Sequence, residues 1–363
     1  MKVSFLETER RASAGDCAAQ LLLARHLGAA GQRQDAEAWL RRASDAGNIE
    51  AMLALAEHLL TGPAPASPAV LDEVRRLAIP AAEAGNGPAA YLLARMLVSE
   101  ITSAKNWRTA LGYLARAATA GSLPAQVELA FLSGEAGLAN AVAQGQRVPP
   151  QIWNRLHGTV DCWAWTEKAP PVRLVSAEGP YIAVVENFIS PEICEWIIHW
   201  SRNRLEPAKS YDSGRSVCNH MTVNPELDFV VTSVIHRVAA ITKVPINGKE
   251  GTSVLRYLPG EHFEPHFDFL DPSNPALADQ ILKTGQRVVT FIIYLTDDFE
   301  GGETYFPEVK YRFKGRKGDA VFFRNLTTEG APDLKALHAG LAPVGGEKWV
   351  FVRVGTHIQS SAF

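Results

Sequence analysis

Small and apolar residues recur through the first third of the chain at offsets of four and five, which puts them on one face of a helix. Ala19, Ala51, Ala89 and Ala125 form one column, and Leu23, Leu55, Leu93 and Leu129 a second. Ala24, Ala56, Ala94 and Ala130 form a third. Ahead of each set stands an Ala-Gly-polar turn: Ala14-Gly15-Asp16, Ala46-Gly47-Asn48, Ala84-Gly85-Asn86 and Ala120-Gly121-Ser122, at spacings of 32, 38 and 36. Gly suits the left-handed residue that ends a helix, and Asp, Asn or Ser suits the cap that starts the next one. Two helices per unit at such a period predict an α-solenoid over residues 1–133, with three full units and an additional first helix. Composition sets the same limit, since 32 of the first 133 residues are Ala against 12 of the last 183.

Residues 134–180 lose the columns and read as a connecting helical or linker segment. Trp153, Trp163 and Trp165 there are too large and apolar for a free linker, so they are expected to pack between the domains. From residue 181 to 363 the period shortens. YIAVVENF predicts a strand, and SPEICEWIIHWSR a helix capped by Ser190 with Pro191 at its first position. DFVVTSVIHRVAAIT predicts a second amphipathic helix. TSVLRYL, RVVTFIIYL, DAVFFRNL and KWVFVRVGTHI then predict strands separated by Gly, Pro and Asp turns. Two helices followed by short strands suit a double-stranded β-helix, or jelly roll, buttressed by helices. The expected class is therefore multidomain α + β.

Charge changes this picture little. A net charge of −3 and a pI near 6.4 give no global attraction to nucleic acid or to an anionic membrane. No apolar run approaches the length of a membrane span, and the N-terminal residues lack a signal-peptide core. The cysteines, Cys17, Cys162, Cys194 and Cys218, stand singly, as reduced thiols would. A cytoplasmic location is expected.

The candidate chemistry lies in the stretch LRYLPGEHFEPHFD. An extended backbone puts His266 and Asp268 on one face, and His338 follows 70 residues after Asp268. Two imidazoles and one carboxylate, with other positions left open, make the facial triad of a non-haem iron site. Asp297, Asp298 and Glu300 read as a solvated acidic turn, and the stretch 271–286 as a lid over the site.

Four blocks in order, YIAVVENFISPEICEWI, RYLPGEHFEPHFDF, VVTFIIYLTDDFEGGETYFP and LHAGLAPVGGEKW, resemble the prolyl 4-hydroxylase-like branch of the 2-oxoglutarate/Fe(II) dioxygenases. The N-terminal repeats resemble Sel-like repeats, relatives of the tetratricopeptide repeat. The resemblance implies Fe(II) on His266, Asp268 and His338, with 2-oxoglutarate as co-substrate, O2 as oxidant and ascorbate as reductant. It implies that Lys348, ten residues after His338, meets the distal carboxylate of 2-oxoglutarate. It places the phenols of Tyr257 and Tyr294 near that co-substrate, and Thr290 shares a strand face with Tyr294 as a further lining residue. The implied reaction hydroxylates a prolyl or other amino-acid side chain, free or in a peptide or protein, with succinate and CO2 as co-products. The repeats would recruit that substrate. Two positions depart from the family and leave the substrate open. SVCNHMTV (216–223) stands where peptidyl hydroxylases carry an Arg-Thr-Ser-like stretch, and Gly355-Thr356-His357 stands where relatives continue to a second Trp. Alternative readings are a protein-interaction scaffold on an inactive oxygenase fold, or a nucleic-acid dealkylase, which the acidic balance disfavours.

Overall fold

The computed structural model describes residues 5–62, 67–99, 104–160, 170–177, 179–207, 219–223, 228–244 and 252–357. The chain divides into two compact units, 1–160 and 161–363.

The first unit is all helical: α1 (Phe5–Ser13), α2 (Cys17–Ala29), α3 (Arg33–Asp45), α4 (Ile49–Leu60), α5 (Pro68–Glu83), α6 (Gly87–Ser99), α7 (Ala104–Thr119), α8 (Leu123–Leu132), α9 (Ala136–Ala143) and α10 (Pro150–His157). Each helix from α1 to α8 packs on the next in sequence, and α10 lies on α7 and α8. All twelve residues of the three columns are buried, none more than 5% exposed. The turns work as their composition predicts, save that Ser122 makes no side-chain cap hydrogen bond. Gly15, Gly47, Gly85 and Gly121 all take positive φ. Asp16 Oδ1 then accepts from Ala18 and Ala19 N, Asn48 Oδ1 from Ala51 N, and Asn86 Oδ1 from Ala89 N. Equivalent Gln20 and Gln126 each donate from Nε2 back to a carbonyl of the preceding helix, Ala12 and Ala118 respectively. The unit runs on to Val160, so α9 and α10 pack with the repeats rather than apart from them. Trp153 is fully buried on α10, whereas Trp163 and Trp165 lie outside the described residues.

The second unit is an antiparallel jelly roll with helices. Its strands are β1 (Val172–Ser176), β2 (Ile182–Val185), β3 (Glu206–Pro207), β4 (Asn219–Val223), β5 (Thr252–Tyr257), β6 (Phe263–His266), β7 (Gln286–Tyr294), β8 (Glu300–Gly301), β9 (Thr304–Phe306), β10 (Tyr311–Phe313), β11 (Ala320–Arg324), β12 (His338–Gly340), β13 (Pro343–Val344) and β14 (Lys348–His357). The large sheet runs β1-β2-β11-β7-β14-β5-β4-β3, the smaller one β10-β9-β12-β6, and β13 pairs with β8. Helices α11 (Pro191–Ser201) and α12 (Phe229–Thr242) begin at the side-chain caps of Ser190 and Asp228.

The central strands β7, β11 and β14 of the large sheet are buried on both faces, which is why they read as nearly unbroken apolar runs. Phe291 and Ile293 on β7, and Leu295 just after it, pack with residues of α11 and α12, such as Ile197 and Val234. Ile292 and Tyr294 point the other way, into a second core shared with Phe306 of the smaller sheet. β14 alternates likewise: Trp349 and Phe351 go to the helices, while Lys348 shares a face with inward-facing Val350.

The stretch 271–286, expected as a lid, holds helix α13 (Pro275–Thr284), none of whose residues is buried. Its two ends are stapled together by Gln286, whose side chain accepts from Leu270 N and donates to Leu270 O, mimicking a strand neighbour. Residues 216–218 lie outside the described residues, and 219–223 form β4 beside β5. Among the described residues no helix is long and apolar enough to cross a membrane.

Candidate metal centre

β6 and β12 are antiparallel neighbours with His266 opposite His338 and Phe263 opposite Gly340. Three steps on β6 thus face two on β12, a bulge of the kind that re-aims a side chain. It leaves the His266 ring 4.2 Å from both the Phe263 and the His338 rings, centroid to centroid. Asp268 follows two residues after β6. The ligand atoms of His266, Asp268 and His338 all lie within 4.8 Å of one another.

Hydrogen bonds set the tautomers. His266 Nδ1 is 2.7 Å from Glu264 O, and His338 Nδ1 is 3.2 Å from Ala336 O. Each Nδ1 donates to a carbonyl, so each neutral ring turns its Nε2 lone pair inward. His266 Nε2 lies 3.5 Å from Asp268 Oδ1, and His338 Nε2 lies 3.5 Å from Asp268 Oδ2. Two lone pairs and a carboxylate facing one point repel unless a cation or proton sits among them. Two imidazole nitrogens and one carboxylate oxygen suit Fe(II), so the residues present fit that ion.

The titration of the cluster agrees with this. Burial opposes the Asp268 carboxylate, but His338 and His266 hold it well below the usual carboxylate range. Burial also opposes the His266 imidazolium, yet the hydrogen bond and charge of Asp268 win and push it up. Burial, then the charge of His266, lowers His338 to about 4. Of the two imidazoles, His266 therefore holds a proton more tightly than His338.

Lys348 is 2% exposed, with Nζ 4.8 Å from the Tyr257 ring and 5.4 Å from the Tyr294 ring. β14 pairs with β5 so that Lys348 stands directly opposite Tyr257. Gly302, at φ +67°, leaves space here, since a Cβ would stand 2.5 Å from the Phe299 ring and 3.5 Å from Lys348 Cδ. Tyr257 also approaches the metal-bearing strand: a Cβ on Gly340 would lie 3.3 Å from its hydroxyl.

Two of the expected residues make hydrogen bonds that the sequence did not announce. Tyr294 presents its ring to Lys348. Its hydroxyl accepts from Thr304 N and sits 3.0 Å from Phe313 O and Thr304 Oγ1, so its one proton is held within the turn that the strand itself supports. Thr290, expected to line the co-substrate site, donates to Asp268 Oδ2 at 2.6 Å. Sequence reasoning also passed over Arg287, whose Nη1 donates to Asp268 O at 3.3 Å, and Asn325, which touches Thr290. Arg287 lies in an otherwise apolar strand run, and that polarity was the available signal; Asn325 carried none. Asp297, Asp298 and Glu300 are exposed and do not join the metal group.

Residues 252–353 match the model of the 2OG-Fe(II) oxygenase superfamily. Prolyl 4-hydroxylase 1 of Arabidopsis thaliana is 32% identical over 220 residues, which span 52% of this chain and 76% of that protein. The chain belongs to the prolyl 4-hydroxylase-like 2-oxoglutarate/Fe(II) oxygenases. It is accordingly a dioxygenase of a family that uses Fe(II), 2-oxoglutarate and O2. Among solved structures, a viral collagen prolyl hydroxylase from Paramecium Bursaria Chlorella virus-1 in its 2-oxoglutarate complex is similar at TM-score 0.40 and 23% identity, covering 50% of this chain and 98% of that one. A putative sel1 repeat protein from Klebsiella pneumoniae is similar at TM-score 0.28 and 26% identity, covering 45% and 78%.

Proposed function

We propose that this oxygenase hydroxylates an unactivated C–H of a prolyl or other amino-acid side chain, with the substrate presented in a peptide or protein. His266, Asp268 and His338 hold the iron, whose bound form couples O2 and the decarboxylation of 2-oxoglutarate to succinate and CO2 with that hydroxylation. Lys348 takes the distal carboxylate of 2-oxoglutarate. An ammonium buried between two tyrosine rings gains from an anion, which offsets its desolvation. Tyr257 closes the side of the site beside Gly340, and Phe323 packs its ring 4.5 Å from His338 to keep water out. Ascorbate is the reductant that returns oxidised iron to Fe(II). The cysteines stand singly along the sequence, and the two among the described residues, Cys17 and Cys194, are free thiols, which supports a reducing, cytoplasmic setting.

The observation that carries this reading is the convergence of two Nε2 lone pairs on the Asp268 carboxylate. Mass spectrometry for a +16 Da product, after incubation with peptides, free amino acids and lysate proteins, tests the reaction. Succinate formed with no oxidised partner in any of these pools would refute the substrate class. The repeats serve recruitment, because extended helical-repeat surfaces suit peptides and proteins. Removing residues 1–160 then leaves slow 2-oxoglutarate decarboxylation but raises the KM for the true substrate; an unchanged KM would refute recruitment.

A further inference from the structure

We infer that Asn325 and Thr290 form a directional relay that selects which oxygen of Asp268 is offered to the metal, making both of them positioning residues. The inference rests on the iron-site reading above and assigns a role to two residues outside the ligand set.

Both side chains are buried, Thr290 at 1% exposure and Asn325 at 0%. Asn325 Nδ2 donates to Thr290 Oγ1 at 3.0 Å, and Thr290 Oγ1 reaches Asp268 Oδ2 at 2.6 Å. An amide NH2 can only donate, so Thr290 must accept from Asn325, and its single proton goes forward to the carboxylate. The 2.6 Å separation is that of a hydroxyl bonded to a charged oxygen. Oδ2 is thereby tied to the protein. Each oxygen lies 3.5 Å from one imidazole, Oδ1 from His266 Nε2 and Oδ2 from His338 Nε2, but only Oδ1 takes no bond from the relay. The arrangement favours ligation through one oxygen, with the other held by Thr290.

The direction depends on the Asn325 amide. Turned the other way, its oxygen would face Thr290 Oγ1, and one hydroxyl proton would have to serve two acceptors. The ionised carboxylate is the stronger acceptor and would leave two oxygens in contact without a proton. The backbone holds Asn325 in place from both sides: its N donates to Val288 O and its O accepts from Asp333 N, each at 3.0 Å. Asn325 Oδ1 has no hydrogen-bond partner among the described residues, so the orientation is set at the Thr290 end. Leaving a buried acceptor unmet is costly, and the gain lies in the carboxylate it helps to position.

The experiment uses the full chain as wild type, Thr290→Ser, Thr290→Val, Asn325→Leu and the double variant Thr290→Val/Asn325→Leu. Fe(II) affinity is read by anaerobic titration with 2-oxoglutarate present, following the visible charge-transfer band. Metal-free melting curves report folding separately. Thr290→Val should weaken Fe(II) by about 10- to 100-fold, the usual effect of removing an outer partner of a metal ligand. Thr290→Ser keeps the hydroxyl and should stay within about twofold of wild type, the additivity error of such comparisons. Asn325→Leu should weaken binding by less than Thr290→Val. It should add nothing in the Thr290→Val background, because Asn325 acts only through that hydroxyl. A residue that merely packs would cost the same in both backgrounds, and that result would overturn the relay. So would wild-type affinity in Thr290→Val. If Thr290→Val does not fold, Asn325→Leu decides alone, and unchanged affinity there overturns the proposal. A wild-type chain that binds no Fe(II) would sink the metal site itself, an outcome distinct from variants that bind as wild type does.

Discussion

The two units bury their side chains for opposite ends. In the helical unit most of the interior is repeated Ala and Leu, such as Ala51, Leu55 and Ala56, each at most 1% exposed, with a few single residues such as Trp153 and Glu128 among them. In the jelly roll the interior includes Thr290, Asn325, His338 and Lys348, all under 5% exposed, and each appears once. The first arrangement spreads stability evenly over stacked neighbours. The second accepts buried polar groups to gather chemistry at one place. Substitutions should therefore fall into two classes, those that weaken folding and spare iron, and those that abolish iron and spare folding.

The sharpest division should come from the triad. Replacing His266, Asp268 or His338 with Ala should abolish the visible band of the anaerobic Fe(II)–2-oxoglutarate complex and all turnover, with the helical unit's melting unchanged. Wild-type bands in all three variants would break the comparison. Lys348→Ala comes next, because truncating one partner of a buried charged contact costs about 2–5 kcal/mol. It should raise the 2-oxoglutarate requirement by at least about 30-fold, while Fe(II) binding stays nearly intact. An unchanged requirement would mean that another cation meets the co-substrate.

Leu55→Ala is the converse experiment. Leu55 packs with Leu21, Leu40, Ala43 and Ala51, so its truncation should destabilise the helical unit by about 2–5 kcal/mol and leave Fe(II) affinity untouched. Calorimetry and the band titration, run on the same sample, read both. Smallest is the pH effect. Metal and proton compete for His266 Nε2, and His266 is shifted up. Affinity should be complete above that raised pKa and fall by up to about tenfold per pH unit below it. His338, at about 4, should add a second loss only near that pH. Affinity that rises on acidification would refute the proton assignment.

Much of this could be read from the chain. Periodicity showed the solenoid because its units repeat, and it stopped at α8 because α9 and α10 keep the positive-φ glycines Gly134 and Gly145 but not the columns. His266, Asp268, His338 and Lys348 could be singled out because the four blocks around them resemble the family's in order, where a lone His-x-Asp would have been weak evidence. Thr290 was read as sharing a face of β7 with Tyr294, and its bond to Asp268 went unseen, since alternation fixes a side and not a partner. Asn325 left no trace, because its contact lies 35 residues away and depends on β11 pairing with β7. The β6 bulge was equally silent: one unmatched residue changes the aim of a ring without changing the hydrophobic pattern.

The Gln286 staple has a consequence for how this scaffold can be altered. Because a single side chain joins both ends of the excursion that carries α13, the segment behaves as a cassette plugged into a fixed socket. Exchanging its length and sequence between Leu270 and Gln286 should therefore leave Asp268 and β7 in place as long as that pairing is kept. Variation in what the enzyme accepts could then accumulate in that insert, while the ligands behind it keep their register.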